Sequence, residues 1–199
     1  TFMAINLELP RKLNAVIEKA HQGAAEMLRP ISRKWDLREH EYPVELDMLA
    51  AMIDGLADSG ASEGAGATGV RRDDKPVEKG NKNGANLASV LSIMEMCWGD
   101  VGLLLSMPRQ GLGNSAIASV ANDEQLKRFE GTWAAMAITE PSFGSDSAAI
   151  TTTAVKDGDE YILNGEKIFV TAGERADSVV VWATLDKSLG RAAIKSFVV

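Results

Sequence analysis

The sequence has 199 residues, of which 45% are hydrophobic and 25% charged, a composition typical of a soluble globular protein of one or two domains. Its formal net charge of −7 argues against a nucleic-acid-binding surface, which needs a basic face, and its single cysteine excludes an intrachain disulfide. No window of about 18 unbroken apolar residues and no signal-peptide pattern is present, so we expect a cytoplasmic protein without a membrane span.

The first 130 or so residues have the periodicity of helices. Pro10 precedes residues 11–28, a run of good helix formers that Pro30 is expected to interrupt. A second helix is predicted after Tyr42-Pro43, with apolar residues at helical spacing: Val44, Met48, Leu49, Met52, Ile53 and Leu56.

The clearest helix covers residues 87–105, where nine residues keep the spacing of a buried stripe: Leu87, Val90, Leu91, Met94, Cys97, Trp98, Val101, Leu104 and Leu105. Asn122 and Gln125 then form a capping-box pattern, which predicts a short helix that Gly131 can end.

Residues 59–84 are rich in Gly, Ser, Asp, Lys and Asn and are predicted to form a long exposed loop. Within it, residues 64–69 fit the pattern GxGxxG, but no strand precedes them, so a dinucleotide site is not predicted. His21 and His40 lie far apart without a second ligand at metal-binding spacing, so no metal site is expected either.

From Thr132 onward the periodicity changes to that of short strands. Asp157-Gly158 and Asn164-Gly165 are hairpin signals, because these residues tolerate the positive φ of tight turns. The change predicts a helical domain of residues 1–131 and a β-domain of residues 132–199, which we expect to be incomplete because the sequence stops within a strand. The predicted strands are residues 135–138, 151–155, 161–163, 168–171, 179–183 and 193–199.

Two motifs in the β-domain carry the strongest functional signal. The first is ITEPSFGSD, in which a strand ends at Thr139 and opens into a loop rich in hydroxyls and backbone amides. Such a loop can hydrogen-bond a planar heterocycle and lie against a diphosphate. The second, GEKIFVTAG, begins at Gly165. In this order and at this spacing, the pair resembles the acyl-CoA dehydrogenase family of flavoproteins.

The resemblance implies an α+β fold, with an all-α helical N-terminal domain followed by a partial, mainly antiparallel β-domain. The C-terminal helical bundle of the family is absent from these 199 residues. The cofactor that it implies is FAD. The implied cofactor-binding residues are Met136, Ile138, Thr139, Gly144, Ser145, Phe169, Val170 and Thr171, and Ser145 would also lie beside the acyl-CoA substrate.

Thr139 and Thr171 are the leading residues of this set, since each can offer a hydroxyl and a neighbouring amide to the flavin ring. Taken singly, each is better explained as a β-branched residue that suits a strand, but within the paired motif the flavin-contacting role is favoured. Phe169 stands where many members carry tryptophan beside the flavin, and an aromatic ring there can exclude water. The sequence departs from the common pattern at four positions, Met136, Ser142, Phe143 and Ala172.

The reaction implied by the resemblance is α,β-dehydrogenation of an acyl-CoA thioester in fatty acid metabolism. It pairs removal of the α-proton with transfer of the β-hydride to flavin N5, and electron-transferring flavoprotein reoxidises the flavin. The base of the family is a glutamate, usually in the C-terminal region, so no catalytic residue is assigned here, and Glu140 is expected to brace its loop. A homodimer or homotetramer is expected.

Two other functional hypotheses stay open. An acyl-CoA oxidase or flavin monooxygenase relative would keep the fold but use oxygen. A non-catalytic subunit of a hetero-oligomeric acyl-CoA dehydrogenase would hold part of a flavin site without a base of its own.

Overall fold

The computed structural model describes residues 9–58, 85–108 and 112–199, with the side chains of residues 52–58 and 85–86 left out. The loop predicted for residues 59–84, with its glycine-rich motif, lies outside the described residues.

The order of elements confirms the α+β class, since helices come first and strands follow. After a 3-10 turn at Arg11–Leu13, the helices are α1 (Asn14–Gly23), a π-helical turn (Ala24–Leu28), α2 (Arg29–Asp36), α3 (Glu45–Asp58), α4 (Ala85–Ser106), α5 (Leu112–Val120) and α6 (Asp123–Arg128). The strands are β1 (Ala134–Ala137), β2 (Thr153–Asp157), β3 (Glu160–Asn164), β4 (Ser178–Thr184) and β5 (Ile194–Val198), with 3-10 helices at Ser147–Ala149 and Lys187–Ala193.

The described elements form two compact units. The first contains α1 to α4, and the second contains α5, α6 and all five strands. The change from helix to strand falls where the sequence predicts it, between the end of α6 and the start of β1. A domain division at residues 131 and 132 stays a prediction, and the compact units differ from it by grouping α5 and α6 with the strands.

The predicted interruption at Pro30 is wrong, because the helical run continues to Asp36. A π-helical turn precedes the proline, in which the amide of Arg29 donates to the carbonyl of Ala24. Pro30 then occupies the first turn of α2, where its missing N–H and fixed φ are tolerated. The chain therefore accommodates the proline by widening one turn.

The core of the first unit consists of Leu28, Leu46, Leu49, Leu103 and Met107. The stripe predicted to be buried on α4 is wrong for most of its length. Six of its nine residues are exposed, namely Leu87, Val90, Met94, Trp98, Val101 and Leu105. Periodicity shows which residues share a helix face, but the neighbouring helices decide which face is covered.

α4 is bent at Asp100, whose backbone is extended (φ −173°, ψ 120°). The carboxylate of Asp100 accepts a hydrogen bond from the amide of Leu103 at 2.8 Å and another from the hydroxyl of Ser32. Asp100 thus caps the last segment of α4 in the manner of a helix N-cap.

By length and composition alone, residues 87–106 of α4 are apolar enough to cross a membrane, which qualifies the expectation of no membrane span. One such helix is weak evidence, since core helices of soluble proteins pass the same test. Glu95 within this segment pairs with His21 at 2.7 Å, a contact inside the helical unit.

The sheet of the second unit is built around β4. β5 pairs with one edge of β4, and β1 and β2 pair with the other. The antiparallel pairings, β2–β3 and β4–β5, each join five residues on each strand. The parallel pairings join four residues in β1–β4 and one in β2–β4, so the predicted mainly antiparallel β-domain is confirmed.

The hairpin predicted at Asp157-Gly158 is confirmed, since Asp157 pairs with Glu160 and Gly158 has φ +59°. The strand predicted for residues 168–171 and the hairpin at Asn164-Gly165 are wrong. Residues 166–170 are irregular, and Phe169 has φ +56°, a left-handed conformation that a regular strand excludes. This segment carries the second of the two motifs of the candidate site.

α5 packs against the start of β1 at unusually short range. The side chain of Asn114, 4% exposed, donates to the Thr132 carbonyl at 2.7 Å and accepts from the Ala134 amide at 2.8 Å. A Cβ at Gly113 would lie 2.2 Å from the carbonyl oxygen of Ala134. Only glycine permits this approach, which fixes where β1 begins.

We therefore expect Gly113→Ala to destabilise the protein by about 1–3 kcal/mol, because the backbone of β1 must shift to make room. Urea unfolding measures the loss. Gly23→Ala, in the last turn of α1, is the matched control, since a Cβ there meets nothing within 4 Å and alanine favours the helix. Equal stability of the two variants would contradict the close approach.

Candidate functional site

The first motif lies where β1 runs out of the sheet. β1 ends at Ala137, and Glu140 closes a tight turn with Phe143, each amide donating to the other's carbonyl at 3.0 and 3.1 Å. Gly144 and Ser145 follow this turn and are exposed to solvent. The strand end thus opens into an accessible loop, as the sequence predicts.

The second motif returns to the same place after β3. The amide of Ile168 donates to the carbonyl of Thr139 at 2.9 Å, which joins the two motifs by a backbone hydrogen bond. One residue earlier, Lys167 Nζ donates to the carbonyl of Ile138 at 3.1 Å. The structure therefore brings together two segments that are separated by a hairpin in the sequence.

A buried carboxylate lies beneath this junction. Glu140 is 3% exposed, and both of its carboxylate oxygens accept hydrogen bonds from the Thr151-Thr152 pair. Oε2 accepts from the Thr151 amide and hydroxyl at 2.7 and 2.6 Å, and Oε1 accepts from the Thr152 amide and hydroxyl at 2.9 and 2.6 Å. Lys167 Nζ adds a fifth donor to Oε1 at 2.9 Å.

These contacts control the charge of Glu140. Burial alone would raise its pKa, but hydrogen bonds from Thr151, Thr152 and Lys167 outweigh that effect and hold the pKa well below its usual range. Glu140 is thus an ionised structural group with no free acceptor capacity, and the expectation that it braces its loop is confirmed.

The predicted site residues lie at different depths around the junction. Met136, Ile138, Thr139 and Val170 are half-buried, whereas Gly144, Ser145, Phe169 and Thr171 are exposed. Thr139 and the segment that carries Phe169, Val170 and Thr171 are held together by the Ile168–Thr139 bond. Their roles toward a cofactor stay predictions.

Phe169 is the most unusual member of the set. The residue is 88% exposed, and its φ of +56° is rare for a bulky residue. Backbone strain of this kind costs about 1–3 kcal/mol and clusters at functional sites. An exposed aromatic ring in a strained conformation is typical of a group that meets a ligand or another segment.

The sequence reasoning missed Lys167, Thr151 and Thr152. Lys167 lies inside the second motif next to Glu166, but its partner Glu140 is 27 residues away in the sequence, so no local signal marks this ion pair. The two threonines belong to the run 151–153, which strand propensity explains by itself.

Among the described residues, no cluster of three or more His, Cys, Asp and Glu side chains could hold a metal.

The lowered pKa of Glu140 predicts an acid dependence of stability. Its stabilising effect is fully present above the unfolded pKa of a glutamate, about 4.3, and is lost as the pH falls below that value. We expect the difference in unfolding free energy between wild type and Glu140→Gln to shrink between about pH 6 and about pH 3. Urea unfolding across this range measures it.

Glu160→Gln, which removes an exposed carboxylate from β3, should keep the pH profile of the wild type. A wild-type advantage over Glu140→Gln that is the same at every pH would contradict the assignment.

Comparison with known proteins agrees with this geometry. Residues 135–199 match the acyl-CoA dehydrogenase middle domain. The chain is 34% identical over 201 residues to a 3-(aryl)acrylate reductase of Clostridium sporogenes, covering 96% of this chain and 47% of the relative. It is 29% identical over 209 residues to an acryloyl-CoA reductase (NADH) of Anaerotignum propionicum, covering 98% and 48%.

The solved structure of butyryl-CoA dehydrogenase from Megasphaera elsdenii superimposes with a TM-score of 0.71 at 27% identity, covering 98% of this chain and 50% of that one. The chain thus spans about half the length of the relatives that it matches. Because the superposition covers 98% of this chain, the similarity extends beyond the two motifs to the helical part of the chain. The chain belongs to the acyl-CoA dehydrogenase family, and residues 135–199 lie within the family's middle domain.

Proposed function

We propose that this chain supplies the N-terminal half of an FAD-dependent enzyme that introduces a double bond between Cα and Cβ of an acyl-CoA thioester. The observation that carries the proposal is the junction of the two motifs. It fixes Thr139 to Ile168, on the segment that carries the exposed Phe169 and Thr171, so that both motifs can contribute to one pocket for a flat ring.

The described residues fit a flavin in three respects. Phe169 offers an exposed aromatic face that can cover one side of the ring and keep water away from it. Thr139 and Thr171 offer hydroxyls at the same junction, and the exposed loop at Gly144 and Ser145 offers backbone amides and a hydroxyl. The proposed cofactor-binding set is Met136, Ile138, Thr139, Gly144, Ser145, Phe169, Val170 and Thr171, with Ser145 also facing the substrate.

Bound FAD would supply the acceptor for the β-hydride. Hydrogen-bond donors from Thr139 and Thr171 would favour the electron-rich reduced ring, which is the usual role of a protein around such a cofactor. Phe169 would exclude water from the reacting face. These residues bind, orient and shield, and none of them exchanges the α-proton.

Glu140 is unsuited to take the α-proton of the substrate. Both of its oxygens already accept hydrogen bonds, it is buried, and its lowered pKa makes it a very weak base. General-base catalysis needs a group whose pKa lies near the working pH and that reaches the proton. We therefore assign the base to no described residue and propose that it lies in the C-terminal region of the family, together with the donors that polarise the thioester carbonyl.

A second candidate is reduction of an α,β-unsaturated acyl compound, the reverse direction of the same flavin chemistry. Two relatives that match nearly the whole chain carry the name of a reductase, one for 3-(aryl)acrylate and one for acryloyl-CoA. Two mixing experiments compare the two directions. In the first, the reduced holoenzyme is mixed with an enoyl-CoA. In the second, the oxidised holoenzyme is mixed with the saturated acyl-CoA.

Further parts of the proposal concern partners. A cytoplasmic homodimer or homotetramer that acts in fatty acid metabolism and passes electrons to electron-transferring flavoprotein fits the family. An oxygen-using relative would instead consume oxygen without that partner. A non-catalytic subunit would bind FAD while the complete protein carries no inward-facing glutamate.

In the intact protein, we expect Thr139→Ala and Thr171→Ala each to weaken FAD binding or lower the flavin's reduction potential. Loss of one hydrogen bond costs about 0.5–1.5 kcal/mol, which corresponds to about a 2- to 13-fold change in affinity. Fluorescence titration and dye-coupled reduction measure the two quantities. Ser119→Ala, an exposed hydroxyl that donates to its own helix, is the control. Unchanged affinity and potential in both threonine variants would contradict the assignment.

Residues 1–199 in isolation should turn over no acyl-CoA and hold FAD poorly, because the base and the rest of the pocket are proposed to lie elsewhere. α4 also exposes apolar side chains that should promote self-association, namely those of Val90, Met94, Trp98, Val101 and Leu105. Visible absorbance, flavin reduction by acyl-CoA and light scattering measure these properties. A yellow, monomeric protein whose flavin is reduced by acyl-CoA would contradict the proposal.

A further inference from the structure

We propose that Glu140 and Lys167 form a charge-neutral positioning pair that sets the spacing of the two flavin-facing motifs and, through its charge balance, the reduction potential of the flavin. This inference rests on the proposed function and deepens it. It concerns two residues that would act on the cofactor through their neighbours, and neither is expected to take part in the chemistry.

The first part of the argument is connectivity. Lys167 Nζ donates both to Glu140 Oε1 at 2.9 Å and to the Ile138 carbonyl at 3.1 Å, so one ammonium group contacts residues on both sides of Thr139. The amide of Ile168 donates to Thr139 itself at 2.9 Å. Three consecutive residues of the first motif are therefore held by two consecutive residues of the second.

This register determines which side chains can face one ligand. Thr139 is fixed to Ile168, and the next residues along the second motif are Phe169, Val170 and Thr171. A shift of one residue in the contact would exchange Phe169 for a neighbour at the exposed position. The ion pair, being directional and buried, selects this register over the alternatives.

The backbone that leads from β3 to Lys167 is also constrained. Gly165 has φ +154°, and a Cβ at this position would lie 2.4 Å from Thr152 Oγ1, which is itself a donor to Glu140. The chain thus leaves β3 through a position that only glycine fits and reaches Lys167 two residues later. The same threonine supports Glu140 and leaves no room for a side chain at Gly165.

The second part of the argument is charge. The side chains of Glu140 and Lys167 are 2% and 9% exposed, so solvent screens them little. As a pair they leave no net charge beside Thr139. Removing one partner would leave a single buried charge there, and a buried charge acts on a nearby redox group over several ångströms.

The two single variants therefore predict shifts of opposite sign. Lys167→Met leaves the carboxylate of Glu140, which stays ionised because the Thr151-Thr152 pair still supplies four donors. That negative charge disfavours the reduced anionic flavin and lowers its potential. Glu140→Gln leaves the ammonium of Lys167, which favours the reduced flavin and raises its potential. A merely structural pair would not produce opposite signs.

The experiment compares wild type, Glu140→Gln, Lys167→Met and the double variant in the intact holoenzyme, with Lys156→Met on the exposed side of β2 as the control. We expect FAD affinity to fall about tenfold or more in each single variant. The midpoint potential should fall in Lys167→Met, rise in Glu140→Gln and return toward wild type in the double variant. Potentials that stay unchanged, or that move in one direction in both single variants, would overturn the potential-setting role.

Hydrogen exchange in the flavin-free protein tests the spacing role separately. The amide of Ile168 should exchange faster in Lys167→Met, while the amides of β4 keep the wild-type rate. Lys167→Arg should restore part of the protection, since it keeps the charge. If Ile168 exchanges at the wild-type rate in Lys167→Met, the spacing role is wrong. If intact wild type binds no flavin, the proposed function and the potential-setting role both fall, and the exchange result still decides the spacing role.

Discussion

The buried carboxylate of Glu140 is the constraint on which the rest of the site depends. The transfer of a carboxylate from water to a protein interior is strongly unfavourable unless hydrogen-bond donors replace its hydration. Here five donors do so, and they come from two separate stretches of chain, the Thr151-Thr152 pair and Lys167. The need to satisfy one charge therefore draws the end of β1, the start of β2 and the segment after β3 to a single point.

That convergence explains why the surface above it can be irregular and exposed. The backbone of Phe169 is strained, and its aromatic ring is largely unburied, neither of which favours folding. The segment holds this conformation because Lys167 and Ile168 anchor it from below. Buried polar contacts thus provide the rigidity, while the residues proposed to face the cofactor stay accessible. Sites that bind a ligand with defined geometry commonly divide the work in this way.

Local sequence signals predicted the elements whose cause is local. The capping box at Asn122, the turn at Gly158 and the strand-type runs at residues 179–183 and 193–199 each specify their own structure, and each is observed. The errors occurred where distant contacts decide. Residues 168–171 have the composition of a strand, yet the amide of Ile168 donates to Thr139 and the next residue, Phe169, is left-handed.

The same reasoning applies to α4 and to the site. The apolar spacing of α4 is real, but it carries no information on which face the neighbouring helices cover, and most of the predicted stripe is exposed. Within the site, the motif residues could be recognised from their order and spacing. Lys167, Thr151 and Thr152 could not be assigned, because their role exists only once Glu140 is buried among them.

The central claim is that the junction of the two motifs forms one side of a flavin pocket. A crystal structure of the intact protein with FAD tests it most directly. The account predicts that the ring lies against Phe169, with the hydroxyl or amide of Thr139 and Thr171 within about 2.7–3.2 Å of its polar atoms. A flavin bound elsewhere, with Thr139 and Thr171 facing solvent or protein, would contradict it.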